Sequence, residues 1–479
     1  GKRRATVQTI YYVVYILYLL VIAFLIFFDQ RKPMKRFGWI LILLFLPVLG
    51  LLLYWFIGSD GLSIYHKRKI RQRHGDIFKE LDNIVSKTGD LFNMPQSKGM
   101  LFHKKYCGSI FTDDNDIKIY TTGATKYKQA FKDIEEAGDN IHIIYFTIHN
   151  DKLGKEFIDS LIKKVQEGVE VKLLYDGFGC LPTFIYPEVR RLRKAGGNVL
   201  CIRPYTRAVN YRNHRKIIII DGKIGYLGGM NIGEQYKDGV KDRSWRDTHI
   251  RITGSIVHDL QKVFLSDWIT SLKGIDPGFR YKIQHYFPLP DIKGNLGAQI
   301  VANGLYNSSN DEIINMSYFN LISQAKKRVW IQTPYFRPSD TILHTLKNLA
   351  VLGVDVRLMV TLSYASGGFF NRILNRYFLR QLIGNNVKIY GYTDIMHSKT
   401  MIIDDYGLCI GTINLNTRSL QIDDEIYGYF ESESLVKKYE EIFNLDLKHC
   451  IEVEPDKLKY SNLIARAIES ALSFLTPFS

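Results

Sequence analysis

Cysteine is scarce in this chain: there are five in 479 residues, at positions 107, 180, 201, 409 and 450. The number is odd, the positions are scattered, and neither CxxC nor HExxH occurs. That argues against a disulfide scaffold or a cysteine zinc site, and fits a reducing compartment. No glycine-rich nucleotide loop is present, so neither ATP nor a cytidine nucleotide is expected as a donor. Acidic residues are outnumbered, 48 against 64 Lys and Arg, and the resulting +16 predicts an anionic partner, either nucleic acid or an acidic membrane. Charge is missing altogether from residues 5–28 and 37–59. The rest is ordinary: 46% apolar and 23% charged residues exclude wholesale disorder. The length allows two or three domains with a substantial core.

The two uncharged stretches read as a membrane hairpin. Residues 9–28 are nearly all Val, Ile, Leu, Phe and Tyr, and the second stretch contains an apolar run over 39–57. Either would cross a hydrocarbon core of ~30 Å as a helix. Tyr11, Tyr12, Trp39, Tyr54 and Trp55 fall near the ends, where amphipathic rings favour the interface. A cleaved signal peptide fits less well, because the first run is too long and no small-x-small site follows it. Pro47 is tolerable in a span, with a kink. Lys2, Arg3, Arg4, Lys67, Arg68, Lys69, Arg71 and Arg73 flank the outer ends; Arg31, Lys32, Lys35 and Arg36 sit in the connection. Eight against four predicts both termini, and the large remainder of the chain, in the cytoplasm. A hairpin dipping into one leaflet is the alternative. The chain opens on Gly1 rather than Met, so the count allows for native charges ahead of it. The cluster 66–73 reads either as an anionic-lipid footprint or as a solvated helix face.

Residues 60–112 have helical periodicity (Ile77, Leu81, Ile84, Leu91) and many charges, as expected of a juxtamembrane helical linker. Beyond it the same unit occurs twice. Ile141-His-Ile-Ile-Tyr-Phe146 and Val329-Trp-Ile-Gln-Thr-Pro-Tyr-Phe336 are strand-like, and each is followed by a helical segment, 153–167 and 340–352. Gly168-Val-Glu-Val-Lys-Leu-Leu174 and Gly353-Val-Asp-Val-Arg-Leu-Met359 then open with the same glycine and the same alternation. Strand, helix and strand at this spacing predict an α/β fold with a parallel or mixed sheet. Two copies predict two lobes, 113–290 and 291–455, related by a pseudo-twofold axis with the function between them. The tail, 456–479, carries Leu463, Ile464, Ala467, Ile468, Leu472 and Leu475 at helical spacing, and either packs on the second lobe or lies on the membrane.

Each lobe carries His-x-Lys-x4-Asp: His214, Lys216 and Asp221, then His397, Lys399 and Asp404. Each copy is followed at the same offset by a glycine and an asparagine, Gly228 with Asn231 and Gly411 with Asn414. On a strand, residues i and i+2 share a face, so each His projects beside its Lys. The apolar run that follows reads as a strand buried on both sides, and Asp221-Gly222 as a tight turn. Seven residues is an odd separation, so Asp221 and Asp404 turn away from the histidines and position this catalytic set without touching reacting atoms.

Two His and two Lys meeting between lobes suit a phosphodiester. One neutral imidazole attacks phosphorus and forms a phospho-histidine, while the other, protonated, serves the leaving alkoxide. The lysines, with Asn231 and Asn414 as phosphate ligands, stabilise charge on the non-bridging oxygens, so no metal or other cofactor is required. Each such histidine needs its other ring nitrogen held by a carboxylate. Asp247 and Glu425, at similar distances past the two motifs, are the candidates.

The paired His-x-Lys-x4-Asp motifs resemble the phospholipase D superfamily. The chain is more closely similar to bacterial cardiolipin synthases in its N-terminal double span with Leu46-Pro-Val-Leu-Gly50. The same holds for Asp176-Gly177, Gly229-Met-Asn-Ile-Gly233, Trp245-Arg-Asp-Thr-His249, Thr333-Pro-Tyr-Phe336 and Asn414-Leu-Asn-Thr-Arg-Ser419. It departs at Asn416, where the family often has Asp, and at Gly229, where the superfamily commonly has Ser. The resemblance implies a bacterial membrane enzyme that transfers a phosphatidyl group between two phosphatidylglycerol molecules, giving cardiolipin and glycerol. It also implies His214 as nucleophile and His397 as acid/base. Phosphatidylglycerol, cardiolipin and an anionic membrane are then the expected partners, with no nucleic acid and with homo-oligomers allowed. The alternative is a phospholipase D-type phosphodiesterase hydrolysing phospholipid or nucleic acid.

Overall fold

The structure, a computed structural model, describes residues 2–27, 33–54, 60–94, 97–202, 211–240, 243–272, 277–290, 294–304, 312–361, 368–453, 466, 469, 470 and 472. The chain divides into two compact units, residues 1–72 and 73–479.

In the first unit, helix Lys2–Phe27 contains Gln8–Leu25, an 18-residue stretch of mean hydropathy 2.0, long and apolar enough to cross a membrane. Among the described residues it is the only such helix. The second apolar run does not form one helix of spanning length. It gives Pro33–Phe45 and Pro47–Leu53, interrupted at Leu46. Pro47 lacks an N–H and its ring pushes the preceding residue out of the helical region, as the φ of −132° and ψ of 67° at Leu46 record. Leu25, Trp39 and Leu43 form a small buried cluster within this unit.

Residues 60–112 are helical over Asp60–Gly89 and, after Ser97 caps the next turn, over Lys98–Phe102. Ile77, Leu81 and Val85 are buried, but Leu91 is 79% exposed, because the helix ends before it. The side chains of residues 66–68 and 71 in the basic cluster lie outside the described residues, as does most of the tail. In that tail, Glu469 pairs with Arg380 at 2.5 Å on the second half.

The second unit is built on a fifteen-stranded sheet. The first half supplies β1 (Thr112–Tyr120), β2 (Asn140–Tyr145), β3 (Glu170–Asp176), β4 (Asn198–Ile202), β5 (Lys216–Ile220), β6 (Ile224–Gly228) and β7 (His249–Thr253). The second half supplies β8 (Leu296–Ala302), β9 (Arg328–Thr333), β10 (Asp355–Thr361), β11 (Lys388–Tyr392), β12 (Thr400–Ile403), β13 (Gly407–Gly411), β14 (Ile426–Glu431) and a closing β15 (Cys450–Glu452). From the centre outward the first half runs β1-β7-β6-β5-β2-β3-β4 and the second β8-β14-β13-β12-β9-β10-β11, the same order with seven added to each number. The halves join edge to edge through antiparallel β1 and β8, so the two lobes share one continuous sheet.

Parallel pairs β2–β3 and β9–β10 are each linked by a helix, Lys152–Gln166 and Asp340–Val351. Asp151 and Ser339 cap these helices by accepting from Gly154 N and Ile342 N. Strand β5 is buried at every position, which is why its four consecutive isoleucines do not alternate with polar residues. Strand β13 packs against β6 and β7, bringing the second half over the first.

Candidate active site

Both motif histidines sit just ahead of a sheet strand, His214 before β5 and His397 before β12. Their backbones are pinned by the opposite half. His214 N donates to Asp424 O at 2.9 Å, and Asp424 N donates to Arg212 O at 2.8 Å. In the same way His397 N donates to Arg246 O at 2.7 Å, within the short parallel pairing of 395–396 with 245–246. The next residue along each bracing segment is a buried carboxylate, and this sets the side-chain pairing. Glu425 Oε1 lies 3.0 Å from His214 Nδ1, and Asp247 Oδ2 lies 2.5 Å from His397 Nδ1. Each histidine is therefore held by the half to which it does not belong. With Nδ1–H given to a carboxylate, Nε2 is left as the lone-pair nitrogen. The side chains remain 13% and 11% exposed, and Nε2 bonds to no described group, so that edge is open to a substrate.

The supports of the two carboxylates differ. Glu425 Oε2 accepts from Thr412 Oγ1, and Glu425 N donates to Asn303 Oδ1. Position 229 corresponds to Thr412, and there a Cβ would overlap Asp247 Oδ1. Glycine at 229 thus lets Asp247 approach, and Asp247 takes Thr248 N at 2.7 Å in place of a hydroxyl.

Lys216 and Lys399 are buried, each with its Nζ on the carbonyl of its own histidine, Lys216 at 2.5 Å. Burial lowers Lys216 to about 7 and Lys399 to about 8, with Asp247 and Glu425 pulling back toward the charged form. Burial also lowers His214, and lowers His397 to about 4, where Lys399 adds to the fall and Asp247 opposes it. Lys399 disfavours charge on His214, and Lys216 does so on His397, so the four groups share one desolvated volume. Without substrate, burial thus favours the neutral form of both imidazoles and brings both lysines near neutrality.

Asp221 and Asp404 lie at the far ends of β5 and β12. Asp221 accepts from the N–H groups of Gly138, Asp139 and Asn140, and Asp404 from those of Lys326, Lys327 and Arg328. Both adopt φ 52°, the left-handed turn conformation. Asn231 spends its amide on the protein, accepting from Thr147 N and donating to Tyr236 Oη at 2.7 Å. Asn414 is buried, and its Oδ1 has no hydrogen-bond partner among the described residues. Asn416 accepts from Ser419 N and caps helix Thr417–Gln421, a task Asp would perform equally well.

Sequence reasoning assigned no role to Phe146, whose ring stands edge-on to His214 at 4.9 Å, or to Trp245, whose ring lies 5.4 Å from that of His397. Asp176, noted in the sequence only as part of a family-like segment, closes β3, and its carboxylate accepts from Phe178, Gly179 and Asn213 N–H groups. Burial pushes Asp176 up to about 6. An aspartate closing an apolar strand beside a glycine was the available signal. Among the described residues no cluster of His, Cys, Asp and Glu could hold a metal ion.

Comparison with known proteins identifies the family. The family "Cardiolipin synthase, PLD-like domain" matches residues 131–268 and 318–447, and "Phospholipase_D-nuclease N-terminal" matches 16–59. A cardiolipin synthase of Clostridium perfringens (strain SM101 / Type A) is 35% identical over 94% of this chain and 95% of its own. The major cardiolipin synthase of Bacillus subtilis (strain 168) is 32% identical over the same shares. The crystal structure of phosphatidylserine synthase from Haemophilus influenzae superposes with a TM-score of 0.62 at 17% identity, covering 79% of this chain and 97% of that one, a likeness of fold. Matched across nearly its whole length, and carrying a histidine, a lysine and a facing carboxylate from each half, the chain belongs to the cardiolipin synthases of the phospholipase D superfamily, phosphatidyltransferases that make cardiolipin.

Proposed function

We propose that this chain is a membrane-bound enzyme joining two phosphatidylglycerol molecules into cardiolipin and glycerol through a phospho-histidine. The observation that carries the reading is the crossed pair of histidine–carboxylate contacts, one from each half. His214 Nε2 attacks phosphorus and glycerol leaves, its alkoxide taking a proton from His397. The terminal hydroxyl of the second phosphatidylglycerol then gives its proton to His397 and attacks the phosphorus, and His214 is released. The bound phosphodiester anion supplies the negative charge that raises His397 from its depressed value, so His397 takes up the acid's proton from solvent as the substrate binds. Lys216, Lys399 and Asn414 face the developing charge, while Asn231 acts through Thr147 and Tyr236. Incubation with phosphatidylglycerol alone tests this: cardiolipin and glycerol are expected, and phosphatidic acid as the main product would mean a hydrolase.

We place the functional divisions at 1–59, 60–112, 113–290, 291–455 and 456–479, with residues 1–59 as an anchor of two spans, the second kinked at Pro47, and the catalytic part in the cytoplasm of a bacterial cell. The carboxylates of Asp221 and Asp404 hold the turns that set β5 and β12. Asp404→Ala should therefore cost about 2–4 kcal/mol, seen as a lowered Tm, while the folded protein at low temperature keeps activity within about fivefold. Activity lost without loss of stability would place this aspartate on the reacting atoms.

The lysines set the alkaline limb. Their charge is present below the depressed values of about 7 and 8 and is lost as the pH rises through them. We expect kcat/KM to fall from about pH 7 upward, where Lys216 is the first to lose its charge, and the limb in kcat to lie higher, because the bound anion favours the ammonium form. Since His214 is lowered below 6.5, the acid limb lies below that value. A kcat/KM profile flat to about pH 10 would contradict the assignment of charge to these lysines.

A further inference from the structure

Twelve large apolar side chains of residues 73–479 are exposed among the described residues, and four of them fall in one stretch of nine: Phe178, Leu181, Phe184 and Tyr186. Phe184 is 73% exposed. It is held out by ordered backbone: its φ is 50°, Asn150 Nδ2 donates to its carbonyl at 3.2 Å, and the neighbouring Thr183 Oγ1 donates to Ile148 O at 2.7 Å. A left-handed, non-glycine residue that exposes an aromatic ring works against both backbone and solvent preferences.

The loop is stitched to the catalytic centre. The Asp176 carboxylate accepts from Phe178 and Gly179 on one side and from Asn213, the neighbour of His214, on the other. Thr147 Oγ1 donates to Gly179 O, and Phe146, one residue earlier, stands against His214. The Arg212 guanidinium lies 3.7 Å from the centre of the Phe178 ring. Residues 177–194 carry three Arg and one Lys against one acid, Glu188, and Arg190, Arg193 and Lys194 are exposed. Exposed aromatic and leucine side chains followed along the chain by exposed basic ones suit an anionic bilayer surface, the rings among the acyl chains and the cations at the headgroups.

We infer that loop 177–186 docks on an anionic phospholipid bilayer and seats the His214 side of the active site against the lipid surface. This rests on the lipid reading above, since the loop adjoins the nitrogen proposed to attack the lipid phosphorus. A lipid that need not leave the bilayer completely avoids most of the cost of exposing its acyl chains to water.

The test uses the full chain in vesicles of phosphatidylglycerol. In Phe184→Trp, emission beyond that of the unsubstituted protein should be quenched at least about twofold by phosphatidylglycerol brominated in its acyl chains. In Leu181→Ser/Phe184→Ser, the ratio of turnover on bilayer phosphatidylglycerol to turnover on monomeric dibutyryl phosphatidylglycerol should fall about tenfold. An unquenched tryptophan overturns the proposal, as does an equal fall on both substrates. A double variant that changes the oligomeric state in detergent instead of the ratio would assign the loop to contact between copies. If the unsubstituted protein made no cardiolipin, the function above would fail, while the quenching would still report whether the loop meets lipid.

Discussion

His214→Ala and His397→Ala should each lower cardiolipin formation by about 10⁴-fold or more, with circular dichroism and Tm close to those of the parent protein. The size follows from what is removed: without an imidazole at 214 there is no covalent step, and without one at 397 the glycerol alkoxide must leave unprotonated. The two losses differ in kind, and a substrate with a good leaving group separates them. A p-nitrophenyl ester of phosphatidic acid needs no general acid, so His397→Ala should still release a burst of nitrophenolate and stop as the phospho-enzyme. Mass spectrometry should then find the phosphatidyl group on His214. His214→Ala should show no burst. A burst from His214→Ala, with the adduct on His397, would reverse the roles. Burial makes the experiment readable: it already favours the neutral form of both imidazoles, so the nucleophile needs no prior deprotonation.

Local patterning carried much of this site in the sequence. The apolar run behind each His-x-Lys pair forms a buried strand, with the histidine just ahead of it and the aspartate in the turn just past it, so these features follow from local sequence. The repeat was equally legible, because β2 with β3 and β9 with β10 are joined by single helices over short distances. Two features were not legible, and each depends on contacts between residues far apart in the chain. The two halves share one sheet only because β1 meets β8 across more than 180 residues of sequence, as in the pairing of Thr112 with Ala298. Asn231 matches Asn414 in the motif, yet Tyr236 and Thr147 claim its amide while Asn414 Oδ1 stays unbonded. The interruption of the second apolar run at Leu46, by contrast, was legible, because Pro47 sets it locally.

The crossed carboxylates give the sharpest test, because the expected failures appear in the wrong half of the chain. Glu425→Gln and Asp247→Asn keep size and remove charge. An amide beside Nδ1 can donate to it, which fixes the proton on Nε2 and leaves the histidine in the tautomer that can neither attack nor be recharged there, a loss of about 10⁴-fold. Glu425 belongs to the second half but faces His214 in the first, so Glu425→Gln should abolish the burst from the nitrophenyl substrate. Asp247 belongs to the first half but faces His397 in the second, so Asp247→Asn should keep the burst and lose turnover. If each carboxylate served the histidine of its own half, the two phenotypes would be exchanged. Burial strengthens the contrast: Glu425 and Asp247 are almost wholly buried, so a solvent molecule cannot readily take the place of the lost charge. The same crossing makes the halves inseparable as catalysts. A half expressed alone would carry a histidine whose ring nitrogen has no carboxylate and whose backbone N–H has lost its partner at Asp424 or Arg246, so neither half could hold its imidazole in the reactive tautomer.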